Sequence, residues 1–163
     1  MSLRDVTRFM EIFAHFYKVF HSEEAKEEGR RRAIAATAHI CYLFRLDEAA
    51  IKDGLYKELE KDPNTKSFKI KDTFDKIISE FENDIKNANI LPNGICLNRP
   101  LVENLFACIV CIKCKIPLII CGKPGTSKTL SVSLCNELFE LSVTVKSKSK
   151  FFKNLPNIVY VNF

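Results

Sequence analysis

The sequence lacks the features that would send the chain out of the cell or into a membrane. Its first residues include no apolar stretch of the kind that a secretory signal peptide needs. Its longest apolar segment, residues 105–121, is interrupted by Lys113, Lys115 and Pro117, which makes it unsuitable as a membrane span. Seven cysteines, an odd number, without a signal peptide indicate free thiols in a reducing compartment. We therefore expect a soluble, cytoplasmic protein.

The chain also lacks the residue patterns of common metal and nucleophilic sites. It contains no HExxH sequence and no zinc-type spacing, and its histidines are scattered at positions 15, 21 and 39. His15 stands among aromatic residues, where a core or boundary histidine is the better interpretation than a metal ligand. No nucleophile–base pair stands out.

Three cysteines, Cys108, Cys111 and Cys114, are spaced like the start of an iron–sulfur motif. The motif does not continue, because Pro117 follows and the next cysteine is Cys121. We interpret the three as free cysteines packed within an apolar helix.

The positive charge of the chain is confined to its second part. Residues 1–100 carry 17 basic and 17 acidic side chains, whereas residues 101–163 carry 8 basic and 3 acidic ones. Part of the excess lies in a Ser/Lys-rich stretch at Lys146, Lys148, Lys150 and Lys153. Such a stretch is compatible with a nucleic-acid patch, but we favour a solvated loop.

Residues 1–90 read as a run of helices. Apolar residues recur every three or four positions, which places them on one face of a helix: Leu3, Val6, Met10, Phe13, Tyr17 and Phe20. Further helices are predicted over about 31–46, from 47 to about 62, and over about 71–87, with a charged turn at residues 22–32. A linker follows at residues 91–94, and residues 101–113 predict one more apolar helix.

The strongest functional signal is an octapeptide that matches a phosphate-binding P-loop. It follows an apolar segment, residues 116–121, and precedes a helical pattern over residues 130–140. In this strand–loop–helix setting, backbone N–H groups cradle phosphate at a helix N-terminus. The predicted cofactor-binding residues are Gly122, Lys123, Pro124, Gly125, Thr126, Ser127, Lys128 and Thr129.

Two of these side chains have assigned chemistry. Lys128 would neutralise the β- and γ-phosphates of ATP, and the Thr129 hydroxyl would contact Mg²⁺. Ser127 stands where the pattern has its second glycine, a position at which a Cβ resists the usual backbone geometry.

Beyond the loop, the chain lacks the acids that nucleotide hydrolysis requires. A Walker-B pair at the end of an apolar strand holds Mg²⁺ and orients water. The acids after the loop are Glu137 and Glu140, both within the helix that the loop opens. The sequence gives 34 residues after Thr129, and we expect a Walker-B strand to lie further along. Binding without hydrolysis is therefore expected of this chain.

The octapeptide resembles the Walker-A loop of AAA+ proteins. It departs from that loop at Lys123 and Ser127, and with these two residues it resembles the loop of the mysterin family. The likeness extends over residues 101–106, 109–112, 115–118, 127–131 and 151–156, and residues 2–6 resemble the sensor-2 element of an AAA+ lid. Mysterins are giant, dynein-like AAA+ proteins with a RING finger that act as ubiquitin-protein ligases. Neither a RING finger nor an arginine finger is present here.

The resemblance implies the organisation of the chain. Residues 1–90 would be the helical lid-like subdomain of a preceding AAA+ module, with Arg4 at the sensor position. Residues 91–163 would open the next P-loop domain, without its Walker B. The implied fold class is α/β: a helical bundle followed by a partial α/β core, whose further strand is predicted at residues 157–163.

Two functional hypotheses from different classes follow. In the first, the chain is an ATP- and Mg²⁺-binding piece of a mysterin-like ATPase and ubiquitin ligase, with other AAA+ modules or copies of the parent protein as partners. In the second, it is a non-catalytic interaction fragment with a vestigial P-loop. Nucleic-acid binding is the least favoured, and enzymatic activity of this chain is left open.

Overall fold

The described chain is a series of helices. The computed structural model describes residues 3–21, 25–46, 49–62, 68–141 and 143–155. The helices are α1 Leu3–His21, α2 Lys26–Cys41, α3 Ala49–Leu59, α4 Ile70–Ala88, α5 Arg99–Lys113, α6 Lys128–Glu140 and α7 Val143–Ser147, with a 3-10 turn at Leu43–Arg45. Among the described residues, none of these helices combines the length and apolar character needed to cross a membrane.

The predicted α/β class is wrong for the described chain, which is all-α and contains no β-strand in those ranges. A strand forms only when its backbone groups pair with a neighbouring strand. Residues 116–121 have no such ladder among the described residues, and the Ile119 side chain is 86% exposed. The predicted strand at 157–163 lies outside the described residues.

The chain divides into two compact units, one up to Ile77 and one from Ile78 onward. The division falls within α4. The predicted lid-like subdomain at 1–90 and P-loop domain at 91–163 stay predictions.

In the first unit, α1 packs against an alanine-rich α2. Gly29 lets the two helices approach closely, because a Cβ there would lie 3.3 Å from the Phe20 backbone. Phe16 and Phe20 are fully buried, but Leu3, at the other end of the predicted apolar face, is 84% exposed. Of the turn predicted at residues 22–32, residues 26–32 are helical, because α2 begins at Lys26, and residues 22–24 lie outside the described residues.

A buried histidine contributes to the interior of this unit. The His39 ring stacks on Phe74 with 3.5 Å between centroids. Its Nδ1 lies 2.8 Å from the Ala35 carbonyl oxygen and its Nε2 lies 2.6 Å from the Tyr56 hydroxyl. Both ring nitrogens are thus satisfied, which is what a buried polar group requires.

In the second unit, aromatic side chains form the core beside α5. Phe81 of α4 meets Phe106 edge to face with 5.1 Å between centroids, and meets Phe151 and Phe152 at 5.4 and 5.8 Å. Ser149 holds this C-terminal turn: its hydroxyl donates to Asp84 at 2.5 Å and accepts the N–H groups of both phenylalanines. Edge-to-face pairs add to the stabilisation that apolar burial provides.

Candidate functional site

The predicted phosphate-binding segment lies between α5 and α6, within the second unit. α5 ends in a Schellman motif: Lys115 has a φ of 56°, the Ile116 N–H donates to Cys111 at 2.8 Å, and the Lys115 N–H donates to Ile112 at 3.1 Å. A lysine occupies the left-handed position that is usually glycine. This turn ends the helix and directs the chain into residues 116–121.

The loop backbone is left-handed at two residues, Gly125 with a φ of 80° and Ser127 with a φ of 59°. Glycine adopts this conformation freely, whereas a residue with a Cβ is disfavoured there by roughly 1–2 kcal/mol. The position predicted to suit glycine therefore does adopt glycine-like geometry, with a serine in it. Gly122 instead allows the Thr126 hydroxyl to approach the backbone, because a Cβ at position 122 would lie 3.2 Å from that hydroxyl.

The Lys128 amine folds back over the loop. Its Nζ donates to the Gly122 carbonyl at 2.9 Å, to the Lys123 carbonyl at 2.7 Å and to the Thr126 hydroxyl at 3.0 Å. The same hydroxyl donates to the Lys123 carbonyl at 2.9 Å. Three oxygen atoms thus surround one ammonium group, an arrangement in which phosphate oxygens could take the place of the loop oxygens.

The first turn of α6 begins at this loop. The Ser127 carbonyl accepts the Ser131 N–H at 2.9 Å, and the Ser131 hydroxyl donates to the Lys128 carbonyl at 2.6 Å. The first N–H groups of a helix lack intrahelical partners and carry partial positive charge, which favours an anion. Thr129, the predicted Mg²⁺ contact, is exposed in the same turn.

One side chain from α5 reaches into the loop. The Asn104 Nδ2 donates to the Thr126 carbonyl at 3.0 Å, across 22 positions of sequence. Sequence reasoning missed this residue, because neither spacing nor motif connects it to the octapeptide. Only the packing of α5 against α6 brings it there.

A cavity of about 670 Å³ lies beside the loop, and its lining includes Lys128 and Thr129 together with apolar residues. The cysteines Cys108 and Cys135 also line it. Burial raises the pKa of the Cys108 thiol to about 11 and that of the Cys135 thiol to about 12. Both are therefore neutral thiols at neutral pH, which makes them poor nucleophiles and poor metal ligands.

Hydrogen bonds bring together four of the eight predicted site residues: Gly122, Lys123, Thr126 and Lys128. Gly125 and Ser127 shape the backbone around them, while Pro124 and Thr129 are exposed. The nucleotide-binding role of all eight residues stays a prediction.

The other candidate residues, the cysteines and Arg4, lie outside the loop. Within the described ranges no group of three or more His, Cys, Asp or Glu side chains is placed to hold a metal ion. The interpretation of Cys108 and Cys111 as buried free cysteines is confirmed, whereas Cys114, the third cysteine of the set, is only half-buried and lies at the C-cap of α5. Arg4 is exposed in the first turn of α1.

The solvated-loop interpretation of the Ser/Lys-rich stretch is wrong for two of its lysines. Lys146 is buried and donates to the Phe139 carbonyl at 2.5 Å. Lys150 is half-buried and pairs with Glu80 at 3.0 Å. Lys148 and Lys153 are exposed, as predicted.

Comparisons with known proteins extend over the whole chain. Residues 94–163 match the family described as RNF213 AAA domain. The chain is 27% identical to the mouse E3 ubiquitin-protein ligase RNF213, 26% to the human protein of the same name and 25% to zebrafish E3 ubiquitin-protein ligase rnf213-beta. Each alignment covers 100% of this chain and 3% of the relative. No solved structure matches.

The chain thus spans a small part of the length of its curated relatives. The family match covers the loop and the helix that follows it, and the alignments cover the helices before it. These matches confirm the predicted likeness to the mysterin, or RNF213, family: residues 94–163 match its AAA domain, and the whole chain is similar to a segment of the RNF213 proteins.

Proposed function

We propose that this chain binds ATP with Mg²⁺ through the loop at residues 122–129. The observation that carries the proposal is the Lys128 amine, which lies within hydrogen-bond distance of three loop oxygens at the head of α6. A phosphate group would replace those oxygens as the partner of the amine and would accept the first N–H groups of the helix.

The donor set fits a polyphosphate. The residues offer an ammonium group, backbone N–H groups and a hydroxyl, and the lack of a Cβ at Gly122 lets the Thr126 hydroxyl approach the backbone there. When bound, Mg²⁺ would neutralise phosphate charge, and Thr129 would contribute a hydroxyl ligand to it. Lys128 would bind and orient the terminal phosphates. Hydrolysis is not part of the proposal, because no Walker-B pair follows the loop in this sequence.

The division of the chain into two AAA subdomains is proposed from its likeness to the RNF213 proteins. Residues 1–90 would form a lid-like subdomain of one AAA module and residues 91–163 the first part of the next, in a cytoplasmic protein. Other modules or copies of the parent protein would be its partners. Ubiquitin transfer, the activity for which the mouse, zebrafish and human relatives are named, would belong to the longer protein.

The test is isothermal titration calorimetry of Mg-ATP on the full chain and on Lys128→Ala. We expect measurable binding by the wild-type chain and none by the variant, because the variant loses the ammonium group that faces the three loop oxygens. Lys153→Ala is the matched control, since that lysine is exposed and lies outside the loop. Equal ATP binding with and without Lys128 would refute the proposal.

A second candidate is favoured by the exposed apolar residues before the loop. Leu118 is 40% exposed and Ile119 is 86% exposed, beside an apolar cavity. In this alternative the chain is an interaction fragment and the loop is vestigial. A thermal melt separates the two, because a ligand that binds the native state raises the melting temperature. Stabilisation by Mg-ATP would count against the interaction fragment.

A further inference from the structure

We propose that Asn104 is a positioning residue for the phosphate-binding loop, so that helix α5 sets the nucleotide affinity of a loop that begins nine residues after the helix ends. The inference rests on the proposed function, and it adds a residue that the P-loop pattern does not contain. Its basis is the hydrogen bond from the Asn104 amide to the Thr126 carbonyl at 3.0 Å.

The bond controls the direction of a backbone donor. The Thr126 carbonyl and the Ser127 N–H belong to the same planar, trans peptide unit, so they point in opposite directions. Fixing the carbonyl toward α5 therefore directs the Ser127 N–H away from α5. In a P-loop the cradle consists of such N–H groups, and their direction decides whether they can meet a phosphate oxygen.

The same peptide precedes the residue with the most demanding backbone. Ser127 has a φ of 59° and a ψ of 21°, which a residue with a Cβ adopts only where surrounding contacts hold it. The contacts on its C-terminal side come from α6, through the bond between the Ser127 carbonyl and the Ser131 N–H. Asn104 holds the peptide on its N-terminal side.

The position of Asn104 is itself fixed by packing. Its neighbours along α5, Leu101 and Leu105, are fully buried, and α5 packs against α6. The Asn98 side chain caps the start of the helix by accepting the Leu101 N–H at 2.9 Å. The amide of Asn104 therefore reaches the loop from a rigid element, which is what precise placement of a binding group needs.

The experiment compares Asn104→Ala and Asn104→Asp with wild type in the full chain. Asn83, on the exposed face of α4, provides the matched controls Asn83→Ala and Asn83→Asp. We expect the dissociation constant for Mg-ATP to rise about fivefold in Asn104→Ala, the fold-change that corresponds to one lost hydrogen bond. We expect no change in the Asn83 variants. Weakening by Asn104→Asp alone would show a charge effect and overturn the proposal.

A second readout works without nucleotide. Amide hydrogen exchange of a peptide covering residues 122–128 should become faster by about fivefold in both Asn104 variants. Peptides from the buried parts of α5 and α6 should keep their wild-type exchange. Unchanged exchange in the loop, or an equal increase in the helices, would overturn the positioning role.

The outcomes separate this inference from the proposed function. If wild type binds, Lys128→Ala does not bind and Asn104→Ala binds like wild type, the inference is wrong and the proposed function stands. If wild type itself does not bind, the proposed function fails and the affinity role of Asn104 fails with it.

Discussion

The aromatic core of the second unit and the loop beside it are stabilised in opposite ways. The core is apolar, and Phe81, Phe106 and Phe152 in it are fully buried. The loop is largely exposed, and hydrogen bonds from Lys128, Thr126 and Asn104 stabilise it. Apolar burial tolerates changes in shape that conserve volume, whereas a polar loop depends on individual donors and acceptors. The loop is therefore the region where single contacts decide the conformation.

The largest effect is expected from removing an aromatic ring of the core. Phe81→Ala should lower the free energy of unfolding by about 3–5 kcal/mol, because it deletes a ring that contacts three others. Urea denaturation followed by circular dichroism measures it. Ile119→Ala in the exposed segment should cost less than about 0.5 kcal/mol. Equal costs would remove the distinction between the two regions.

The next effect concerns a polar group that belongs to the core. Ser149→Ala should lower the free energy of unfolding by about 1–3 kcal/mol, because two N–H groups and the Asp84 carboxylate lose a partner. Ser133→Ala on the exposed side of α6 is the control and should stay within about 0.5 kcal/mol. If Ser149→Ala left the free energy of unfolding unchanged, the turn would be stabilised by aromatic packing alone.

A pH effect follows from Lys113, whose amine donates to the Phe151 carbonyl at 2.9 Å. Burial lowers the pKa of Lys113 to about 8 from its usual 10.5. Between these values the unfolded state binds more protons than the native state, so this group makes stability rise with pH from about 8 to 10.5. The expected contribution is on the order of 1–2 kcal/mol.

The measurement is the urea midpoint at pH 7.5 and pH 10 under reducing conditions, for wild type and Lys113→Met. The buried thiols Cys108 and Cys135 act in the opposite direction, because their raised pKa values make stability fall above about pH 9. The difference between the two proteins isolates the lysine, since the thiols are common to both. A difference that does not vary with pH would contradict the prediction.

The smallest effect tests the backbone of the loop. Ser127→Gly should raise the free energy of unfolding by about 0.5 kcal/mol, since relief at a left-handed residue outweighs the added flexibility of glycine in the unfolded chain. Gly125→Ala should lower the free energy of unfolding by about 1 kcal/mol, because it places a Cβ at a φ of 80°. Differential scanning calorimetry of the two variants checks the signs. A stabilising Gly125→Ala would show that the loop relaxes freely.

Sequence patterns predicted the helical parts well where apolar residues repeat at helical spacing. The helices predicted at about 71–87 and at 101–113 correspond to α4 Ile70–Ala88 and α5 Arg99–Lys113. The pattern was less informative at α1, where the same periodicity covers buried Phe20 and exposed Leu3. Periodicity identifies one face of a helix, but whether another element covers that face depends on packing.

The predicted α/β class failed because a strand depends on a partner distant in sequence. The apolar character of residues 116–121 suggested a strand, yet among the described residues no segment pairs with it. The candidate site was predictable as far as a motif defines it, which includes Lys128 and the glycines. Asn104 was not predictable, because its contact spans 22 positions and depends on how α5 packs.

The sequence by itself determined the helices of this protein, the order of glycines in its loop and its likeness to the mysterin family, because these follow from local spacing and residue type. The tertiary structure alone decided that Lys146 is buried and that Asn104 reaches Thr126. The first contact joins α7 to α6 and the second joins α5 to the loop, so both form only once the helices have packed and the chain has lost the conformational entropy that packing costs.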